Sequence, residues 1–375
     1  MANDTAVAID SSDLDSSDAE VEEIDSSDVE SISSSDAEVE EIDSPALDDS
    51  FPQPCLNNHA YGLSPDALKR LLLFRVPPEF LLILELLNGL GCLGANLSPL
   101  VLVEFFCGAA ELQRAFECEF PRKTFGYDCL RDRLAQDILT PAGFLLAIIL
   151  VFRLGLSAHI DALAWFGTQC SSFVWLSRSK TGRSRWNPRG DRTRYKVCRA
   201  NTMVARCCLL MALCVALQVL LGLEQPDTSI MEFLPCLTWI RTICCKHFGG
   251  WFKCQSFMSY FNHRCLKGSL IHGTSPFLMG LKRKHPGSSA ASKLAKVVQK
   301  RRESGQTKVT GAAKEVKSTQ QYTPEFAAEV RKLFLSREHA VAEPCRRHLF
   351  RGKFVADIWQ DAELDEVISY LKGLQ

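Results

Sequence analysis

The stretch VLVEFFCGAAELQRAFE, Val101 to Glu117, decides how this chain is read. An apolar run carries an acid, Glu104, near its end. A turn of small residues, Cys107-Gly108-Ala109-Ala110, follows and opens a helix. Strand, tight turn and helix are the first half of a β-α-β unit. Small residues let the backbone come close to a bound group, and the amino end of a helix favours electron-rich atoms. FGYDC then puts Asp128 where a second strand should end, the place from which a carboxylate accepts hydrogen bonds from ribose hydroxyls. In AQDILT, Asp137 is the candidate for an adenine amino group. These residues outline a pocket for a nucleoside cofactor.

Working outward, apolar runs alternate with helical patterns from Leu100 to about Leu281, as in a mainly parallel sheet with helices on both faces. Upstream, Leu63 to Leu97 reads as helical, with Ser64 as N-cap and Pro65 at the first helical position. Cys207 to Leu223, CCLLMALCVALQVLLGL, is apolar enough to raise a bilayer span. The competing reading, which we adopt, is a buried helix followed by a buried strand, with no membrane partner. The expected organisation is a disordered acidic tail over 1–52, a helical lead-in over 53–99 and the α/β domain over 100–281. A basic flexible linker over 282–320 and a small helical appendix over 321–375 complete it. In the appendix, Thr323-Pro324-Glu325 starts one helix and a last helix covers roughly Asp361 to Leu371.

Charge is unevenly spread. Residues 1–50 hold 18 Asp and Glu and no Lys or Arg, so residues 51–375 carry 26 acids against 43 Lys and Arg. A body that basic suits a polyanion, nucleic acid first. The acidic segment repeats SSDAEVEEIDS at Ser16–Ser26 and Ser34–Ser44. Ser17 and Ser35 each precede an acid at the third following position, a pattern for acid-directed phosphorylation, though a solubilising tail reads equally well. Within 282–317, 11 Lys and Arg face two Glu. The basic runs 282–284 and 300–302 suit a nuclear address, so we expect a nuclear rather than a cytoplasmic protein. Sixteen cysteines and an acidic amino terminus without a signal-peptide core agree with reduced thiols in either compartment. Cys244, Cys245, His247, Cys254, His263 and Cys265 follow no zinc spacing, and we expect no metal.

Here a resemblance enters. EFFCGAAELQRAFE resembles the first motif of the carbon-5 cytosine methyltransferases, DLFCGAGGLSLGFE in its usual form. These belong to the class I S-adenosylmethionine-dependent methyltransferases. Phe106, Cys107, Gly108, Ala109, Leu112, Phe116 and Glu117 match, and Glu104 replaces the leading Asp. Gln136-Asp137-Ile138 is similar to the family's GDI. TQCSSFV resembles the family's PPCQSFS and sets Cys170 at its nucleophile. GDRTR, Gly190 to Arg194, resembles the Asp-x-Arg element that closes that loop. LEQP resembles ENV and sets Glu224 at its catalytic acid. The resemblance covers roughly residues 100–280.

It implies a class I methyltransferase-like (Rossmann-like) α/β fold. S-adenosylmethionine would be held by Glu104, Phe106, Cys107, Gly108, Ala109, Asp128 and Asp137. The reaction would be methyl transfer to carbon 5 of cytosine in DNA or RNA, with DNA the preferred partner. In that chemistry a thiolate adds at carbon 6 and makes carbon 5 nucleophilic, while an acid at ring nitrogen 3 stabilises the developing charge. A base inside a duplex must first be flipped out. Between Arg178 and Arg199 lie nine basic residues and one acid, with Trp186 and Tyr195 among them. Arg178, Lys180, Arg183, Arg185, Arg192 and Arg194 are the candidates for phosphate contact, and an aromatic ring would replace the unstacked base. The departures are Gln169 for the proline before the cysteine, Ala110 and Glu111 for a glycine pair, EQP for ENV, and no counterpart of a later glutamine–arginine–arginine motif. These departures equally suit a catalytically degenerate relative that only binds nucleic acid.

Overall fold

The computed structural model describes residues 63–94, 97–157, 162–292, 294–295, 299–303, 306–310, 320–336 and 357–374. The acidic tail and its repeat lie outside them. The chain divides into a larger unit, Ser50–Lys296 with Ser318–Gln375, and a smaller one that includes Val297–Lys317.

The larger unit is α/β and built on a six-stranded mixed sheet. Its strands are β1 (Leu102–Phe105), β2 (Thr124–Tyr127), β3 (Leu163–Phe166), β4 (Leu220–Pro226), β5 (Phe252–Phe257) and β6 (Gly268–Gly273). They lie in the order β2-β1-β3-β4-β6-β5. The first four are parallel, and β6 runs antiparallel between β4 and β5. The chain leaves β1 for β2 on one side and returns to β3 on the other, so β1 and β3 flank a topological switch point.

The short central strands are sealed on both faces, and period-2 alternation sends their side chains into two cores. Val103, Phe105, Ala164, Phe166, Leu221 and Leu223 enter the first core. Helices α1 (Pro65–Leu73), α2 (Pro78–Gly89), α4 (Pro141–Gly155), α6 (Tyr195–Ala216) and α7 (Pro235–His247) cover that side. Leu102, Leu163 and Trp165 enter the second core with α3 (Glu111–Glu117) and α9 (Pro324–Ser336). Two further short helices, α5 (Arg178–Thr181) and α8 (Ser288–Ser292), lie in connections.

Local signals set the helix starts. Ser64 accepts the Ala67 N–H, Thr140 the Gly143 N–H and Thr323 the Phe326 N–H, each with proline at the next position. The helical lead-in expected over Leu63–Leu97 consists of two helices. Arg75 takes φ 50° and Pro77-Pro78 cannot continue the first helix, so the chain breaks there.

The apolar segment Cys207–Leu223 is the end of α6 followed by β4. Every residue of α6 from Asn201 to Ala216 is buried, which suits a helix apolar on all sides inside a core. Among the described residues α6 is the one helix long and apolar enough to cross a membrane by length and composition.

The carboxy-terminal helices do not form one appendix. α9 packs in the second core, whereas α10 (Leu364–Lys372) buries Leu364, Val367, Ile368 and Leu371 in the first. Arg206, fully buried in α6, donates to the carbonyls of Ile138, Leu139, Ala362 and Glu363, which ties the turn before α10 to the loop after β2. The stretch expected as a structureless basic linker contains, in the smaller unit, a hairpin of β7 (Gln299–Glu303) and β8 (Gln306–Thr310). In the sequence, Ser304-Gly305 is a turn signal that the basic charge obscured, and Thr307, Val309 and Thr310 of β8 suit a strand.

Gly222 on β4 faces the Trp165 ring, and a β-carbon there would meet ring atoms at 2.4 Å. Gly222→Ala should therefore lower the free energy of unfolding by about 2 kcal/mol through overpacking, read by urea denaturation.

Candidate active site

Phe106, Cys107, Gly108, Ala109, Asp128 and Cys170 fall just beyond the carboxyl ends of β1, β2 and β3, whereas Glu104 lies within β1, Glu224 within β4, and Asp137 and the basic candidates further along the connections after β2 and β3. The turn after β1 alternates into left-handed backbone: Phe106 at φ 61°, Gly108 at 48° and Ala110 at 57°. Only glycine adopts that region without cost, so Phe106 and Ala110 hold the turn under strain. Two carbonyl contacts sustain it, as Phe106 and Cys107 both donate N–H to the Tyr127 carbonyl, at 2.7 and 3.2 Å.

Asp128 is buried at the end of β2. One carboxylate oxygen accepts the Gly108 N–H at 2.9 Å and the other the Leu130 N–H at 2.8 Å. The second-strand acid thus shapes the β1 turn directly. Each oxygen retains another acceptor direction. Asp137 accepts the Leu139 N–H at 3.0 Å and lies 3.6 Å from Arg199. It organises the turn into α4, the structural role that competes with an adenine contact.

The side chains of Glu104 and Cys107 are buried. Glu104 is wholly buried beneath α3, where one oxygen accepts the Gln113 N–H at 2.8 Å and the other has no hydrogen-bond partner. α3 has no side-chain cap of its own, so Glu104 satisfies its amino end from below. Burial raises the Glu104 carboxyl to about 7 and pushes the Cys107 thiol up to about 12. The resemblance implies cofactor contact for both; the structure gives them a supporting position under the turn. Glu111, at one of the altered glycines, pairs with Arg114.

Cys170 lies half-buried in the loop after β3. Phe166 pairs with Leu223, so the next residue of β4, Glu224, stands beside the start of that loop. Gln225 donates to the Thr168 carbonyl at 3.2 Å and also to its hydroxyl, which fixes the loop to β4 two residues before the cysteine. The Glu224 carboxylate is buried in a polar cluster: Ser269 donates to Oε1, Lys267 Nζ lies 3.5 Å from Oε1, and the Tyr322 hydroxyl lies 3.3 Å from Oε2. Tyr322 also accepts the Trp165 indole N–H at 3.1 Å. Burial pushes the Cys170 thiol up to about 11; the Glu224 charge adds to this and the Lys267 charge opposes it.

The basic loop corrects one expectation. Arg183 is sealed inside the protein. Its guanidinium stacks 4.0 Å from the Phe173 ring and donates to Ser172, Pro188, Asn201 and Val197. A buried cation needs such partners, so Arg183 binds the loop to the cysteine segment rather than to phosphate. Arg192 is exposed and ion-paired with Asp361, and Arg194 with Asp191. Arg178 is partly buried, with its Nε lacking a partner. Lys180 and Arg185 are exposed, and Trp186 between them and α6 is 93% exposed.

Sequence reading missed Lys267, Ser269 and Tyr322, which carry no motif. Among the described residues no three His, Cys, Asp or Glu side chains group as a metal would need. Comparison with family models, curated proteins and solved structures found no match.

The raised Glu104 carboxyl makes stability pH-dependent. The folded chain keeps this proton to about 7, while the unfolded chain releases it near 4.5, so wild type loses stability as pH rises through that window. Glu104→Gln should abolish the loss. Relative to wild type it should gain on the order of 3 kcal/mol between pH 4.5 and 7.5, read by urea unfolding at each pH.

Proposed function

We propose that the larger unit is a class I methyltransferase-like enzyme that transfers a methyl group from S-adenosylmethionine to carbon 5 of cytosine in nucleic acid, DNA rather than RNA. One observation carries the reading. The strained β1 turn, Asp128, the Cys170 loop and Glu224 gather at the carboxyl edge of four neighbouring parallel strands, around the switch point where α/β sheets bind ligands.

The residues fit the cofactor in three respects. Gly108 is exposed at the turn, Asp128 keeps free acceptor directions, and Glu111 is drawn off by Arg114. Gly108, Ala109 and Asp128 would hold it, and Asp137 would border it. When bound, it supplies an electrophilic methyl group. Cys170 Sγ would add as a thiolate to carbon 6 of the ring, and once carbon 5 is methylated a base would remove the carbon-5 proton so that the carbon 6–sulfur bond breaks and the thiolate leaves. Glu224 would meet ring nitrogen 3 and stabilise the charge that this addition creates. Gln225, through Thr168, and Arg183, through Ser172, would hold the cysteine loop. Lys180 and Arg185 would neutralise phosphates. The exposed Trp186 would fill the space left by the flipped base.

A second reading, a catalytically silent nucleic-acid-binding protein, is favoured by the Cys170 thiol near 11 and by Gln169 before it. Calorimetric titration of S-adenosylmethionine into the full chain should show saturable binding, weakened about tenfold by Asp128→Asn. With S-adenosylmethionine present, a duplex containing 5-fluorocytosine should form a covalent adduct that Cys170→Ser abolishes. Folded protein that binds no cofactor, with or without DNA, overturns the methyltransferase reading. Cofactor binding without adduct selects the silent one.

A further inference from the structure

Lys267 is placed oddly for a surface cation. It sits at the entry to β6, with its side chain largely covered, 3.5 Å from Glu224 Oε1 and 5.7 Å from the centre of the Tyr322 ring. Glu224 takes a further hydrogen bond from Ser269 and lies 3.3 Å from the Tyr322 hydroxyl. The pair stands beside the loop that Gln225 pins at Thr168, two residues before Cys170. Three elements from distant parts of the chain therefore bring one anion and one cation to the surroundings of one thiol.

A cysteine attacks only as its thiolate, and a thiolate next to a carboxylate needs a neighbouring cation. Here the cation is spent on the carboxylate. We infer that Lys267 and Glu224 form a charge gate: paired with each other they keep Cys170 as an unreactive thiol, and a ligand that engages the Glu224 carboxylate frees Lys267 to become the counter-cation of the thiolate. The inference rests on the reading of Cys170 as a nucleophile. The step is the loss of one proton from Cys170 Sγ to solvent, with the electron pair staying on sulfur; nothing is oxidised. The ligand it implies presents a hydrogen-bond donor to Glu224, as a nitrogen heterocycle bearing N–H groups does.

The groups around this site are few. Glu224 and Lys267 are the charges that act on the thiol, one raising and one lowering its affinity for the proton. Tyr322 faces Glu224 from the segment ahead of α9, and burial and the Glu224 charge hold it protonated. Arg183 reaches the loop at Ser172, with its donors shared among Ser172, Pro188, Asn201 and Val197. The gate gives a reason for a thiol at about 11 in the free protein: the nucleophile is shielded from stray electrophiles and oxidants until the site is filled.

The test uses the full chain without nucleic acid or cofactor. Iodoacetamide alkylation of Cys170 is followed at pH 8 by residue-resolved mass spectrometry in wild type, Glu224→Gln, Lys267→Gln, Lys267→Arg and the Glu224→Gln/Lys267→Gln double variant. Below the thiol's midpoint the rate follows the thiolate fraction. Glu224→Gln should react about tenfold faster and Lys267→Gln about tenfold slower, while Lys267→Arg stays near wild type. In the Lys267→Gln background, Glu224→Gln should lose most of its accelerating effect. Equal acceleration in both backgrounds means that the charges act separately, and overturns the gate. So does an unchanged rate in correctly folded single variants, with folding checked by circular dichroism and by alkylation of exposed Cys118 as an internal standard. The outcome is independent of methyl transfer, so a failed gate and a failed enzyme reading are told apart.

Discussion

The Trp165 indole packs against the backbone of Gly222 and gives its N–H to the Tyr322 hydroxyl, and these contacts join three parts of the molecule. Trp165 belongs to β3 and Gly222 to β4, so their fit sets the spacing of the two strands whose ends carry Cys170 and Glu224. Tyr322 comes from beyond the basic segment and reaches Glu224 from below. It also crowds Gly167, where a β-carbon would lie 2.8 Å from its hydroxyl. The cysteine loop begins at that glycine. A change in the Trp165 contact therefore reaches the sheet, the loop and the docking of α9 together.

The constraint behind this arrangement is burial on both faces of a parallel sheet. Strands β1 and β3 have no solvent face and need two layers of cover. One layer comes from α1, α2, α4, α6, α7 and α10. The other, beyond the short α3, is completed by α9, which brings Phe326, Val330 and Phe334 into the second core. Polar groups caught between the layers are met individually. Glu104 caps α3, Arg206 serves four carbonyls, and Arg183 holds the cysteine loop. Of these three Glu104 alone keeps an unpartnered atom, an oxygen, and its burial raises its affinity for a proton.

This separates two kinds of residue that sequence reading had pooled. Asp128, Gly108, Cys170 and Glu224 stay together at the strand ends. Glu104, Cys107 and Arg183 turn out to be supports. In a linear sequence a buried arginine in a run of nine basic residues is indistinguishable from its exposed neighbours; only the closure of the loop over Phe173 sets it apart. Lys267, Ser269 and Tyr322 were invisible for the complementary reason. They come from segments without a motif and acquire meaning through contacts with Glu224, 43, 45 and 98 positions away along the chain.

By itself the sequence determined what depends on near neighbours: helix starts at Ser64 and Thr323, the strand–turn–helix at Leu102–Glu117, and the α/β alternation, while for Cys207–Leu223 it offered a buried helix and strand beside a bilayer span. Hydrophobic period, small-residue turns and proline stops act over a few residues and are legible in order. Tertiary structure decided what depends on distant partners: the insertion of β6 between β4 and β5, the opposite faces taken by α9 and α10, and which charges meet solvent and which meet each other. Those outcomes follow from filling two cores while pairing most buried polar groups at once, a condition on the whole chain that no local pattern records.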